Sequence, residues 1–250
     1  MIRETVVKQK TVIALKYISI VSIITIAILL LCTYFYQPFF LVKLVQKTFH
    51  RILFYVETDQ KNYALTFDDG PNPQYTDTVL EILDKHEAKA TFFLIGSRVK
   101  LYPEYVRKIK EKGHQIGNHT YYDEPSIFLT KETLIQSIQK TENLIRQECS
   151  PKLFRPGSGW ISKNLLDAVE DAGYKTVLGS AYVSDSFHPP RWYMKAALDF
   201  MLRPGIIVIL HDGIKNPQKT IDVLPSLLEA ANRKGLNPVI LSTLLRNRNN

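Results

Sequence analysis

The chain has 250 residues, 45% of them apolar, enough to bury the core of one large domain or two small ones. Its net charge of +8 is uneven: residues 1–61 hold eight Lys/Arg against three Asp/Glu, so they carry +5 and the remainder only +3. A basic excess confined to one end excludes the distributed positive surface of a nucleic-acid binder.

From Tyr17 to Tyr36 there is no charged residue in twenty positions. As a helix, that run spans roughly 30 Å, the thickness of a bilayer's hydrocarbon core. It is long for the apolar part of a signal peptide, and no small-x-small cleavage site follows it, so residues 17–36 are expected to be a retained transmembrane helix. Arg3, Lys8, Lys10 and Lys16 precede it with only Glu4 opposing them. The positive-inside rule then leaves residues 1–16 in the cytoplasm and places everything after the helix outside, as a single-pass membrane protein. Residues 37–61 read as a juxtamembrane stalk whose apolar clusters either pack on the domain or lie at the membrane surface. Its Lys43, Lys47 and Arg51 suit anionic lipid. Cys149 has no cysteine partner in the exported part, so no intrachain disulfide braces it.

From Asn62 onward, short apolar runs alternate with helical patterns. The expected strands are Tyr63–Phe67, Ala90–Ile95, Gln115–Gly117, Leu153–Arg155, Thr176–Leu178, Ile206–Leu210 and Pro238–Leu241. Helical patterns fall at Thr76–His86, Pro103–Lys112, Lys131–Arg146, Lys163–Ala172, Tyr193–Met201 and Ile221–Lys234, several of them stopped by glycine. Such alternation predicts an α/β domain over residues 62–250, a distorted (β/α) barrel of about seven parallel strands.

Polar residues gather where those strands end. Asp68 and Asp69 follow the first, His119 and Asp123 the third, Arg155 the fourth, and His211 with Asp212 the sixth. In a parallel barrel these ends open onto one face, where barrel chemistry is carried out. Two adjacent carboxylates at a strand mouth repel each other unless a proton, a cation or an arginine intervenes. Asp69, His119 and Asp123 together make a one-histidine, two-carboxylate set suited to Zn, Co, Mn or Ni, with one helical turn placing His119 and Asp123 on the same side. His114 reads as structural, His86 and His188 as surface residues, Asp222 as a solvated helix residue, and Trp192 with Tyr193 as packing residues.

The segments Thr66-Phe67-Asp68-Asp69-Gly70-Pro71, Gly113-His114-Gln115-Ile116-Gly117-Asn118-His119-Thr120, Phe154-Arg155-Pro156 and Ile209-Leu210-His211-Asp212 resemble successive motifs of the polysaccharide deacetylases. These are the NodB-homology enzymes of carbohydrate esterase family 4, and the resemblance extends from Asn62 to about Leu245. It implies a metal-dependent hydrolase that removes acetyl groups from N-acetylated, GlcNAc-type sugars. Asp68 matches the general base, His211 the general acid, Arg155 the arginine that orients the base, and Asp69 and His119 metal ligands, with zinc the first expectation. A backbone N–H at Ser158 matches a part of the oxyanion site.

Two features depart from the family pattern. Asp123 stands where a second histidine is usual, giving H-T-x-x-D for H-T-x-x-H and a more anionic site. The arginine motif, Arg155-Pro156-Gly157-Ser158-Gly159-Trp160, lacks the frequent Pro-Tyr, which leaves Trp160 to supply an aromatic wall. Asp185 is the expected carboxylate that tunes the acid. The partners expected are an acetylated polysaccharide or oligosaccharide and, through the N-terminal helix, membrane lipid, with no nucleic acid. An O-deacetylase on the same machinery and a catalytically silent glycan-binding relative are the competing readings; Asp68, Asp69, Arg155 and His211 together speak against the second, since a pure binder needs neither base nor acid.

Overall fold

The computed structural model describes residues 2–147, 152–214 and 216–247. It divides into two units, Met1–Pro38 and Phe39–Asn250. The first consists of helix α1 (Ile2–Tyr36). Its segment Leu15–Thr33, with a mean hydropathy of 2.4, is long and apolar enough to cross a membrane, criteria that a signal sequence also meets. Cys149 lies outside the described residues.

The second unit opens with α2 (Phe39–Thr48) and β1 (Ile52–Leu53), followed by β2 (Asn62–Asp68), α3 (Thr76–Lys85), β3 (Thr91–Leu94), α4 (Gly96–Leu101) and α5 (Glu104–Glu111). Next come β4 (Gln115–Asn118), α6 (Lys131–Ile145), β5 (Lys152–Phe154), α7 (Lys163–Asp171), β6 (Tyr174–Val177), β7 (Ala181–Tyr182) and α8 (Arg191–Met201). The chain finishes with β8 (Ile207–His211), α9 (Gln218–Arg233), β9 (Asn237–Val239) and α10 (Leu241–Arg246).

The strands form one parallel sheet in the order β1-β6-β5-β4-β3-β2-β8-β7, with β9 also paired to β2. Residues 178–180 draw the two ends of this sheet together. The N–H groups of Leu178 and Gly179 reach the carbonyl of Leu53 at 2.9 and 3.1 Å, and Ser180 N–H reaches that of Ile207 at 3.1 Å. The result is the curled (β/α) barrel expected from the alternation, with two strands more than the apolar runs suggested. Both extra strands, β1 and β7, are two residues long, below the length at which a period shows.

From Phe39 onward, the stretch expected to be a stalk belongs to the second unit, where β1 pairs with β6 through Ile52↔Thr176 and Leu53↔Val177. Gln46 fastens α2 to the same place, donating to Ile52 O and accepting from Phe54 N–H, both at 2.8 Å.

Strand parity sets which side chains face the interior. In β2, Tyr63, Leu65 and Phe67 pack outward with the helices in the largest apolar cluster. Ala64 faces inward with Phe93, Leu153, Val177, Ile207, Leu241 and Leu244. Thr66 and Asp68 therefore point inward as well, since side chains alternate with a period of two. Asp68 is the last inward position before the turn. Gly117, on β4, leaves room for the neighbouring Phe93 ring: a Cβ there would lie 2.5 Å from its edge. That ring is the floor on which the Arg155 guanidinium rests, 4.1 Å from the centroid.

Candidate active site

All the strand ends that carry the predicted polar residues open at the same mouth. Asp68 and His211 are direct register partners on the paired strands β2 and β8. Arg155 follows β5, its N–H bound to Asn118 O at 2.9 Å, and His119 follows β4, its N–H bound to Leu94 O at 3.0 Å.

Arg155 is almost wholly buried and aims Nη1 at Asp68 Oδ1, 2.5 Å away, and at the Thr66 hydroxyl, 2.8 Å away. Its Nε donates to the Val177 carbonyl at 3.3 Å, so the planar fork is held at three points. Burial pulls this guanidinium below the usual arginine range, while the Asp68 carboxylate pushes the other way. With Oδ1 engaged by the arginine, Oδ2 is the Asp68 oxygen left to face a reactant.

Asp69 sits at φ +70°, in the left-handed region that aspartate tolerates better than most residues. This breaks strand alternation and lets two successive carboxylates serve one site. Asp69 Oδ1 lies 3.2 Å from His119 Nε2, and His119 Nδ1 donates to the Arg155 carbonyl at 2.7 Å. That tautomer turns the bare Nε2 lone pair toward a carboxylate oxygen, an arrangement that is repulsive without a cation between the two. Without a metal, a proton takes that place. Burial opposes the charge on both groups, yet their hydrogen bond and mutual field hold Asp69 below the carboxylate range and His119 above the histidine range. A His nitrogen and a carboxylate oxygen about 3 Å apart, with the second ring nitrogen fixed by a carbonyl, also fit two ligands of one divalent ion.

Asp123 does not join them. The expected helical turn after His119 is not formed: Thr120 takes φ +67°, and the carbonyls of Thr120 and Tyr121 instead accept from Gly96 and Ser97 N–H at 2.9 and 2.8 Å, capping α4. Asp123 is left on an exposed bend, paired with Arg98 Nη2 at 3.2 Å. Arg98 Nη1 in turn holds the backbone carbonyls of Asp69 and Gly213. Among the described residues, no three His, Cys, Asp or Glu side chains converge as a metal-holding group.

His211 Nδ1 meets Asp185 Oδ1 at 2.7 Å. The other carboxylate oxygen accepts from His211 N–H at 2.8 Å and from the Thr220 hydroxyl at 2.7 Å. Burial disfavours a charged His211, but Asp185, through its charge and its hydrogen bond, and the more distant Asp68 and Asp69 outweigh it and lift the imidazole to about 10. The ring is therefore an imidazolium at neutral pH, with Nε2–H toward the mouth. Next door, burial pushes Asp212 up to about 7, against the hydrogen bond from the Thr76 hydroxyl at 2.5 Å.

Ser158 and Trp160 lie on the exposed loop after Arg155, Ser158 at φ +63° and Trp160 66% exposed. His114 is buried, its Nδ1 accepting from Ala90 N–H at 3.2 Å. Asp222 is paired with Arg191 on the surface of α9, while Trp192 is exposed beside a buried Tyr193. Sequence reasoning placed Asp212 beside His211 at the sixth strand end without giving it a role, and it gave none to Arg98, Thr66 or Thr220, whose parts depend on distant partners.

Comparison with known proteins gives this arrangement its context. The family model for polysaccharide deacetylases matches residues 55–177. A peptidoglycan-N-acetylglucosamine deacetylase of Bacillus cereus is 34% identical over 202 residues, covering 76% of this chain and 91% of that protein. Among solved structures, a peptidoglycan N-acetylglucosamine deacetylase in complex with 4-naphthalen-1-yl-N-oxidanyl-benzamide superposes with a TM-score of 0.74 at 27% identity, over 82% of this chain and 98% of that one. A family 4 acetyl xylan esterase from Clostridium thermocellum in complex with a cobalt ion gives a TM-score of 0.68 at 30% identity, over 74% of this chain and 90% of that one. Sequence and fold agree, and the chain belongs to the polysaccharide deacetylase family, the hydrolases of carbohydrate esterase family 4.

Proposed function

We propose that this protein is a membrane-anchored, divalent-metal-dependent N-deacetylase of GlcNAc-containing polysaccharide, with peptidoglycan glycan strands as the leading substrate. The observation that carries the reading is the pairing of Asp68 with His211 across β2 and β8, one clamped by a buried arginine and the other by a buried carboxylate. A fixed base and a fixed, protonated acid on adjacent strand ends are what amide hydrolysis needs and what a binding module has no use for. The B. cereus relative supports the substrate class.

Asp68 Oδ2 accepts a proton from the water that attacks the acetamide carbonyl. Arg155 keeps the other oxygen in place, so the carboxylate cannot rotate away from the attack line. His211 Nε2–H then gives its proton to the departing nitrogen, because an amine leaves only once protonated. The C–N bond breaks, releasing acetate and the free amino sugar, and Asp185 holds the imidazole's orientation throughout. Asp69 and His119 are the residues that would hold a divalent ion, which when bound polarises the carbonyl and acidifies water.

The test is acetate release from N-acetylglucosamine oligomers by metal-replete protein. Asp68→Ala and His211→Ala should each lower turnover by ~10²- to 10⁴-fold. Acetate release unchanged in both variants would sink the assignment. An equal loss on acetylated xylan, with no turnover of N-acetyl oligomers, would move the substrate to O-acetyl esters.

A further inference from the structure

Helix α2 presents two faces. One is spent on the domain: Val42 is buried, the Phe39 ring packs edge-on against Tyr55 at 5.2 Å and lies under the Arg203 guanidinium at 4.6 Å, and Gln46 bonds the β1 backbone. The opposite face is apolar and open, with Phe40 70% and Leu44 61% exposed. Phe40 and Leu44 are four residues apart, so they stack into one ridge, and Lys43 and Lys47 make a parallel ridge beside it. The helix contains no acidic residue. Lys43 meets the solvent-exposed Glu57 at 3.5 Å and lies over the Phe39 ring, 5.4 Å from its centroid. Arg51, by contrast, is committed to Asp167 and Glu170 at 2.8 Å and is not free for lipid.

We infer that the Phe40–Leu44 ridge of α2 is a foot that seats the catalytic barrel on an anionic lipid surface, a second contact beyond the apolar helix α1. This rests on the reading of α1 as a membrane span. Covalent continuity selects lipid as the occupant: α1 ends at Tyr36 and α2 begins at Phe39, so the ridge starts within a few residues of the bilayer edge. An apolar stripe flanked by lysines is the pattern of an interfacial helix, its rings in the headgroup boundary and its ammonium groups among the phosphates. The foot also fixes a direction. Phe39 sits against Arg203, just before β8 begins at Ile207, while His211 ends that strand, so the foot lies at the end of the barrel opposite the mouth. Seated this way, the site faces a glycan standing off the membrane rather than a saccharide linked to lipid at its surface.

The unit from Phe39 carries all three apolar clusters on its own residues and is testable without α1. Residues 39–250 should co-sediment with phosphatidylglycerol-containing vesicles and much less with phosphatidylcholine alone. Phe40→Glu with Leu44→Glu should cut partitioning more than tenfold, leaving unfolding temperature and acetate release from soluble oligomers unchanged. Lys43→Gln with Lys47→Gln should cost about fivefold per lysine on anionic vesicles only. Absence of sedimentation, or sedimentation indifferent to the Phe40/Leu44 change, overturns the inference. So does concentration-dependent dimerisation that the same change abolishes, which would make a second copy the occupant. The full chain's resistance to carbonate extraction tests α1 separately: its loss, with vesicle binding retained, would refute the span and keep the foot.

Discussion

Replacing Asp185 with Asn removes the charge that keeps His211 protonated while retaining a side chain of the same size. In the native site His211 is lifted from the ordinary 6.5 to about 10, a differential of roughly 5 kcal/mol between its two protonation states at ~1.4 kcal/mol per pH unit. Asp185 is the largest of the raising influences. The others come from Asp68 and Asp69, charges that a bound dication would offset. Because the folded value is raised, the stabilisation is complete below about pH 6.5 and is lost as pH rises through about 10. The supply of general acid follows the same course. Wild-type turnover should hold across neutral pH and fall on an alkaline limb above the ordinary histidine range, set below 10 to the extent that a bound dication offsets Asp68 and Asp69. In Asp185→Asn that limb moves into or below the ordinary histidine range near 6.5, so at pH 7.5 only about a tenth of the rings carry the proton. The assay is kcat for acetate release against pH, with the His211 Cε1 proton followed by NMR on the same variant. An alkaline limb that stays in place in Asp185→Asn would refute the assignment of His211 as an acid tuned by this carboxylate, whatever the loss in absolute rate.

Two further consequences are measurable. Arg155→Met leaves Asp68 buried without its cationic partner and should cost about 3–5 kcal/mol in urea-induced unfolding; a loss under 1 kcal/mol would show that the carboxylate relaxes to solvent. Arg98→Gln removes a positive charge pinned to the Asp69 carbonyl and frees the Asp123 carboxylate. It should tighten Zn²⁺ or Co²⁺ binding on the order of tenfold by titration calorimetry, and an unchanged Kd would show that Arg98 and Asp123 lie outside the ion's influence.

The residues of the chemistry were legible in the sequence wherever local pattern carried them. Asp68 and Asp69 close an apolar run and precede a Gly-Pro turn, and His119, Arg155 and His211 each follow or end a short strand pattern, because run length and turn chemistry are properties of neighbouring residues. The apolar segment Leu15–Thr33 is legible for the same reason, since length and composition alone define it. Tertiary structure decided what depends on distant partners. The two-residue strand β1 exists because β6, more than a hundred positions later, offers it an edge. Asp123 stands apart from Asp69 and His119 because the carbonyls after His119 cap α4 rather than continue a helix, which hands its carboxylate to Arg98. Asp185 touches His211 only because a one-turn helix at Asp185–Phe187 returns the chain to the end of β8, where the Thr220 hydroxyl holds the second carboxylate oxygen. A sequence displays the groups that each strand delivers to the mouth; the closing of the barrel determines which of them meet, since hydrogen bonds at under 3 Å are set by backbone paths that no local period encodes.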